Sequence, residues 1–270
     1  MFSSCLYRKL FVSISFSQLI FFKSKYGQKS QDIIILFIVC FHVLGIECDT
    51  RAEHVNDSFN RFNDDFNIIK YNFPKQDPRL WIMLSSQVRS IIYEIANQPS
   101  CILMINNHTS KDTSQCLIKA ISNSFFSAIN HNNVNKNVSH FKANDLPNDP
   151  MEAKGKLFEL IKETLKEDKV VVLEDIQDLN ATTVMALHGI CDEGFMSDQE
   201  LKPLVLMTIS DFRSEKELEK FPKEQAKISS LIKSLWEPEL GVDRVYALIS
   251  RISAAVTKIF TENVKFSQYC

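Results

Sequence analysis

Three short runs constrain this chain more than anything else in it: CILMI at 101–105, VVVL at 170–173 and LVLMT at 204–208. Each is apolar throughout instead of alternating, the pattern of a strand buried on both faces. The segments between them have helix length. Cys116, Leu117, Ala120, Ile121 and Phe125 recur at helical spacing after the first run. Asp149 and Pro150 open a further helix with Leu157, Leu160, Ile161 and Leu165 on its buried face. Buried strands joined by helices mean parallel crossovers, so the expected fold is α/β: a helix-flanked, mainly parallel sheet.

Other elements fit around that frame. Trp81, Leu84, Val88, Ile91, Ile92 and Ile95 line one face of a helix that Pro99 stops. Residues 131–150 read as an Asn-rich loop with a short strand around 140–142. Helices are predicted over about 182–191, 224–236 and 242–260, the last with the stripe Val245, Leu248, Ile249, Ile252, Val256 and Ile259. The expected organisation is a segment 1–31, an apolar segment 32–48, a polar linker 49–72 and one domain over 73–270.

The N-terminal part is unlike the rest. Residues 1–31 carry five basic side chains (Arg8, Lys9, Lys23, Lys25, Lys29) and no acidic one. The 14-residue run IIILFIVCFHVLGI at 33–46 follows, and then Glu47, Asp49 and Glu53. A basic flank, an apolar run and an acidic flank read as a single anchor with the domain on the lumenal side. The run is short of the roughly 20 residues of a full span. The weaker apolar stretch at 10–22, broken by serines and Gln18, leaves a signal peptide or a second span open.

Four N-x-S/T acceptors, at Asn56, Asn107, Asn137 and Asn180, fit a lumenal, glycosylated domain. The seven cysteines show no CxxC spacing and no zinc pattern, and one of them is Cys270. With 45% hydrophobic and 24% charged residues the composition is that of a globular protein. A net charge of −2 gives no reason to expect a nucleic-acid partner.

Between the strand at 101–105 and the next helix lies MINNHTSKDTS, where a nucleotide-binding protein would place its phosphate loop. Such a loop needs glycines, so that the backbone can turn its N–H groups onto phosphate. Here there are none, and the chain has no glycine between Gly45 and Gly155. No bound cofactor and no metal are therefore expected. Glu174 and Asp175 follow VVVL where an ATPase would hold Mg²⁺, and Lys111 is the only cation of the glycine-free loop. On the final helix, at about 100° per residue, Arg251 falls about 110° from the centre of the apolar stripe. Arg244 and Lys258, seven residues to either side, extend it into a basic ridge. Tyr246, beside Ala247, belongs with them as a candidate partner-binding residue.

Several of these segments, taken in order, resemble the torsin-interacting proteins of the nuclear envelope and endoplasmic reticulum. They are FPKQDPRLW from Phe73, CILMINNHTS from Cys101, VVVLEDIQDL from Val170, GICDE around Cys191, SLW at 234–236, ISRIS at 249–253 and Cys270. The resemblance implies an AAA+-like lumenal domain that has lost nucleotide binding, is not itself an enzyme, and activates the torsin AAA+ ATPase. It implies that Arg251 is an arginine finger supplied to torsin's ATP site, a group worth about 10³–10⁵ in rate. It also implies a disulfide between Cys191 and Cys270, closing a loop whose chain entropy corresponds to about 4–5 kcal/mol. A cytoplasmic segment of 31 residues is too short for the long lamina-binding region of some relatives, so no lamin association is expected. Two other readings stay open: an NTPase with an unconventional site at Lys111, Glu174 and Asp175, and a lumenal scaffold.

Overall fold

The computed structural model describes residues 54–96, 98–130, 138–192, 203–213 and 224–262. The chain divides into two compact units, Met1–Phe59 and Asn60–Cys270. Of the first, residues 54–59 are described, and they are helical. The expected anchor at 32–48 lies outside the described residues. Among those described, no helix is long and apolar enough to cross a membrane.

The second unit begins with helix α1 over 60–72. Helix α2 (Pro78–Ile92) follows, then strand β1 (Ser100–Asn106), helix α3 (Lys111–Ile129) and strand β2 (His140–Lys142). Helix α4 (Pro150–Glu167), strand β3 (Val170–Glu174), helix α5 (Ala181–Ile190) and strand β4 (Leu204–Ser210) continue it. Helices α6 (Glu224–Leu240) and α7 (Val242–Ile252) and strand β5 (Ala255–Lys258) complete it. The five strands form one sheet in the order β2-β3-β4-β1-β5, and every pairing is parallel. The three runs that dominate the sequence are the central strands, buried along their whole length.

Strand alternation splits the core into two layers. Cys101, Leu103, Ile105, Val171, Leu173, Val205 and Met207 face one cluster with α4, α5, α6 and α7. Ile102, Met104, Val172 and Leu206 are equally buried outside that cluster. The helices α2 and α3 pack on the sheet there. Local chemistry starts the helices as the sequence suggests. Asp77 caps α2 by accepting from the Arg79 N–H, and Asp149 caps α4 by accepting from Met151 and Glu152, each with proline next. Gly241, at φ 78°, makes the left-handed turn between α6 and α7.

Three expectations are corrected. The polar linker at 49–72 is helical over its described part. Phe62, Phe66 and Ile69, at spacings of four and three, are buried, and the Phe66 ring meets Trp81 edge-on at 5.5 Å. Polar composition hid a one-sided apolar stripe. The final helix ends at Ile252, not near Phe260, and Ala255–Lys258 forms β5 on the free edge of β1. Val256 and Ile259 happened to continue the helical spacing. Ser253 instead closes the helix, its N–H and hydroxyl both donating to the Ile249 carbonyl. The residues after β5 are held by Gln76, whose side-chain amide accepts from the Phe260 N–H and donates to the Phe260 carbonyl.

The third correction concerns the disulfide. Cys191 is bonded to Cys101, across 90 residues, and so ties the end of α5 to the start of β1. Cys191 is 3% exposed and faces the core cluster that also contains Cys101, so a bond at this point is a core contact. Cys270 lies outside the described residues. On a chain-entropy basis the bond is worth about 4–5 kcal/mol. Cys101→Ser should lower stability by that order in a non-reducing denaturant titration. Peptide mapping of the unreduced protein should recover Cys101 linked to Cys191, and recovery of Cys191 linked to Cys270 would contradict this fold.

Candidate functional site

In open parallel sheets the functional crevice lies outside the carboxyl ends of the strands, where successive connections leave in opposite directions. Here β1 leads across the sheet to β2, whereas its neighbour β4 leads the other way, to β5. The crevice is therefore expected at the ends of β1 and β4. It is closed by the chain's own side chains. Ser210 Oγ lies 2.8 Å from Asn106 Oδ1 and 3.1 Å from Asp175 Oδ1, so one hydroxyl joins the ends of β4, β1 and β3. The Asp211 N–H donates to the Asn106 carbonyl at 2.8 Å.

The loop that follows β1 is satisfied from within. Asn107 Oδ1 stands within hydrogen-bond distance of the Thr109 and Ser110 N–H groups and of both their hydroxyls. The Asn107 N–H donates to Ser110 Oγ. Backbone donors that a glycine-rich loop would aim at phosphate are thus spent on an asparagine carboxamide. Lys111, first residue of α3, reaches back to Asp175 Oδ2 at 2.8 Å.

Asp175 is the hub of this edge. Its backbone is left-handed (φ 56°, ψ 50°), a conformation an aspartate tolerates better than most residues. Its N–H donates to Thr208 Oγ1 at 2.9 Å, and Gln177 Nε2 donates to its Oδ1 at 3.2 Å. Burial acts to raise the Asp175 carboxyl, but hydrogen bonds from Lys111, Gln177 and Ser210, with the Lys111 charge, outweigh it and hold the carboxyl below its usual range. The same hydrogen bond raises the Lys111 ammonium. Glu174, one residue earlier, points elsewhere: its Oε1 is 2.9 Å from His140 Nδ1 and its Oε2 3.3 Å from Gln115 Nε2. The bond to His140 is the main cause of its lowered pKa. Lys111, Glu174 and Asp175 are therefore brought to one edge, but each carboxylate already has a hydrogen-bonded partner. Among the described residues no group of three or more His, Cys, Asp or Glu is placed to hold a metal ion.

Arg251 lies in the last turn of α7, where a cation also suits the helix dipole. Its guanidinium reaches the surface as the periodicity predicts, with 37% of the side chain exposed. It is not solvated freely, because Nη2 lies 2.8 Å from Asp192 Oδ2. Arg244, two turns earlier, is exposed on about the same side of the helix. The basic ridge stops there, because Lys258 sits on β5 with its ammonium 5.7 Å from the Phe260 ring. Tyr246, about 140° round the helix from Arg251, accepts a hydrogen bond from Lys233 at 2.6 Å. Ala247 is partly buried. The acceptor asparagines differ in setting: Asn56 and Asn180 are exposed, Asn107 is half-buried in its loop, and Asn137 lies outside the described residues.

Sequence reading missed Asn106, Thr208, Ser210, Gln177, His140, Cys101 and Asp192. A signal existed for the strand-end residues, since each apolar run gives way to polar residues at the same end of the sheet. Asp192 had none, because its partner is 59 residues away (Arg251) and only the fold joins them.

The pH dependence of this edge follows from those shifts. Depressed carboxylates stabilise the fold fully above their unfolded values of about 4, and that contribution is lost as pH falls through the lower folded values. The raised Lys111 contributes below about 10.4 and loses its contribution as pH climbs through its folded value. Asp175→Asn should cost about 1–3 kcal/mol at neutral pH. Urea midpoints between pH 7 and pH 2 should fall less steeply for the variant than for wild type, and superimposable acid limbs would contradict the role of Asp175 as hub.

No family model matches the chain, and no curated protein does. Among solved structures it is similar to the replication initiator DnaA bound to AMPPCP and single-stranded DNA, with TM-score 0.37 and 13% identity over 70% of this chain. AMPPCP-bound DnaA from Aquifex aeolicus gives TM-score 0.35 and 13% identity over 70% of this chain. The DnaC helicase loader gives TM-score 0.35 and 11% identity, covering 68% of this chain and 93% of the loader. The chain matches about half the length of the DnaA structures, 48% in each case.

Proposed function

We propose that this chain is a non-catalytic activator of a torsin AAA+ ATPase, docking beside torsin's nucleotide and presenting Arg251 to it. The observation that carries this reading is the pairing of two features in one domain. The carboxyl edge of the sheet is filled by Asn107, Lys111, Asp175 and Ser210, whereas Arg251 stands at the surface, oriented and partly exposed. A planar, permanently charged guanidinium is suited to neutralising charge on a transferring phosphoryl group. The ISRIS segment, one of those that carry the resemblance, contains this arginine.

In this reading residues 32–48 anchor the chain in the membrane of the endoplasmic reticulum or nuclear envelope, with the domain in the lumen. The Cys101–Cys191 disulfide supports an oxidising compartment. The partner-binding surface includes Arg244, next to Arg251 on α7, and Tyr246 borders it. Against an NTPase reading stands the Lys111–Asp175 ion pair at 2.8 Å, which engages both groups such a site would use.

The test is ATP hydrolysis by a torsin of the same organism, with and without the full-length chain. Wild type should stimulate the torsin, and Arg251→Ala should bind it equally well while losing stimulation by about 10³-fold. An alanine variant that binds and stimulates like wild type would remove the finger assignment.

A further inference from the structure

We infer that Asp192 is a positioning residue for Arg251, a deepening that rests on the finger reading above. The two residues are remote in sequence. Asp192 directly follows Cys191, which is the C-cap of α5 and is bonded to Cys101 on β1. Asp192 therefore stands next to a point fixed covalently to the central strand. Arg251 emerges from the last turn of α7, which packs on α5 and on β1. The carboxylate and the guanidinium are thus carried by two elements that share one support, and they meet at 2.8 Å.

The contact is poorly suited to holding the fold together. Both side chains are about one-third exposed, 37% and 33%. An ion pair so open to solvent contributes little to stability. What it does is geometric. An arginine at a helix end otherwise samples many rotamers, and engaging one nitrogen of its fork narrows the range the guanidinium can sample. Asp192 takes Nη2, and among the described residues the guanidinium makes this one ion pair. In this reading the other nitrogens of the fork meet an oxyanion brought by a partner. Orienting the donor before docking removes that ordering cost from the transition state, and misplacement by about 1 Å is enough to cost on the order of 10²-fold.

Asp192 thereby acts through Arg251 and touches no reacting atom. The expected signature is a loss in the maximal stimulated rate at saturating activator, with no change in the concentration giving half-maximal stimulation. A residue that merely supported the fold or the docking surface would move the second quantity or the melting temperature instead.

The experiment titrates the full-length chain into the torsin ATPase assay as wild type, Arg251→Ala, Asp192→Asn and Asp192→Glu. The isosteric Asp192→Asn should lower the maximal stimulated rate by about 10- to 100-fold, leaving half-saturation within about twofold and the melting temperature unchanged. Asp192→Glu, which restores the charge, should recover most of the rate. With Arg251→Ala silent, an Asp192→Asn that stimulates as well as or better than wild type overturns the inference and leaves the finger reading intact. So does a change confined to half-saturation, or a glutamate variant no better than the asparagine. If Arg251→Ala itself stimulates normally, the finger reading fails, and the role of Asp192 fails with it.

Discussion

The carboxyl edge of this sheet is tied together by one hydroxyl. Ser210 Oγ lies within hydrogen-bond reach of Asn106 and of Asp175, and through them the carboxyl ends of three parallel strands are joined. Parallel sheets leave that edge open, and many α/β proteins use the opening for a ligand. Here the groups that would meet a ligand meet one another. Asn107 takes up the donors of the loop after β1, Lys111 turns back to Asp175, and Glu174 is held by His140 and Gln115. Buried polar groups without partners are costly, and these contacts supply partners for the polar groups of this edge.

A second line of connections runs from the core to the surface. The disulfide joins β1 to the end of α5, Asp192 is the next residue, and its carboxylate meets Arg251 at the end of α7. Each link is short and made by a different physical means: covalent, backbone and electrostatic. The consequence is that the cation the resemblance singles out is not a loose surface side chain. Proposed activation in trans needs a donor already held in place, because a partner's ATP site has little to spend on ordering it.

Much of the fold was legible in the sequence because its signals were local. The runs CILMI, VVVL and LVLMT had the pattern of buried strands, and the Asp-Pro pairs at 77–78 and 149–150 marked helix starts through their own cap chemistry. Strand order, pairing of β5 with β1 and the two-layer core depended on tertiary contacts. The helical reading of 253–260 failed because Val256 and Ile259 fit a 3.6-residue period by coincidence, while the pairing that made a strand was with residues about 150 positions earlier (Ile102 to Ile105). At the site the legible part was the missing glycines. The illegible part was what replaced them, since nothing local says that Lys111 will reach Asp175 or that Cys191 will choose Cys101. Several residues of the resembling segments have structural work instead: Gln76 holds the chain after β5, and Trp236 donates from Nε1 to the Leu179 carbonyl.

The closure of the strand ends can be measured directly by calorimetric titration of Mg-ATP into the full-length chain at neutral pH. With the loop donors and Lys111 already engaged, no saturable binding is predicted up to ligand concentrations of about 1 mM. A one-site isotherm with a Kd in the micromolar range, abolished by Lys111→Ala, would mean that the edge opens to a nucleotide and that its own side chains do not close it.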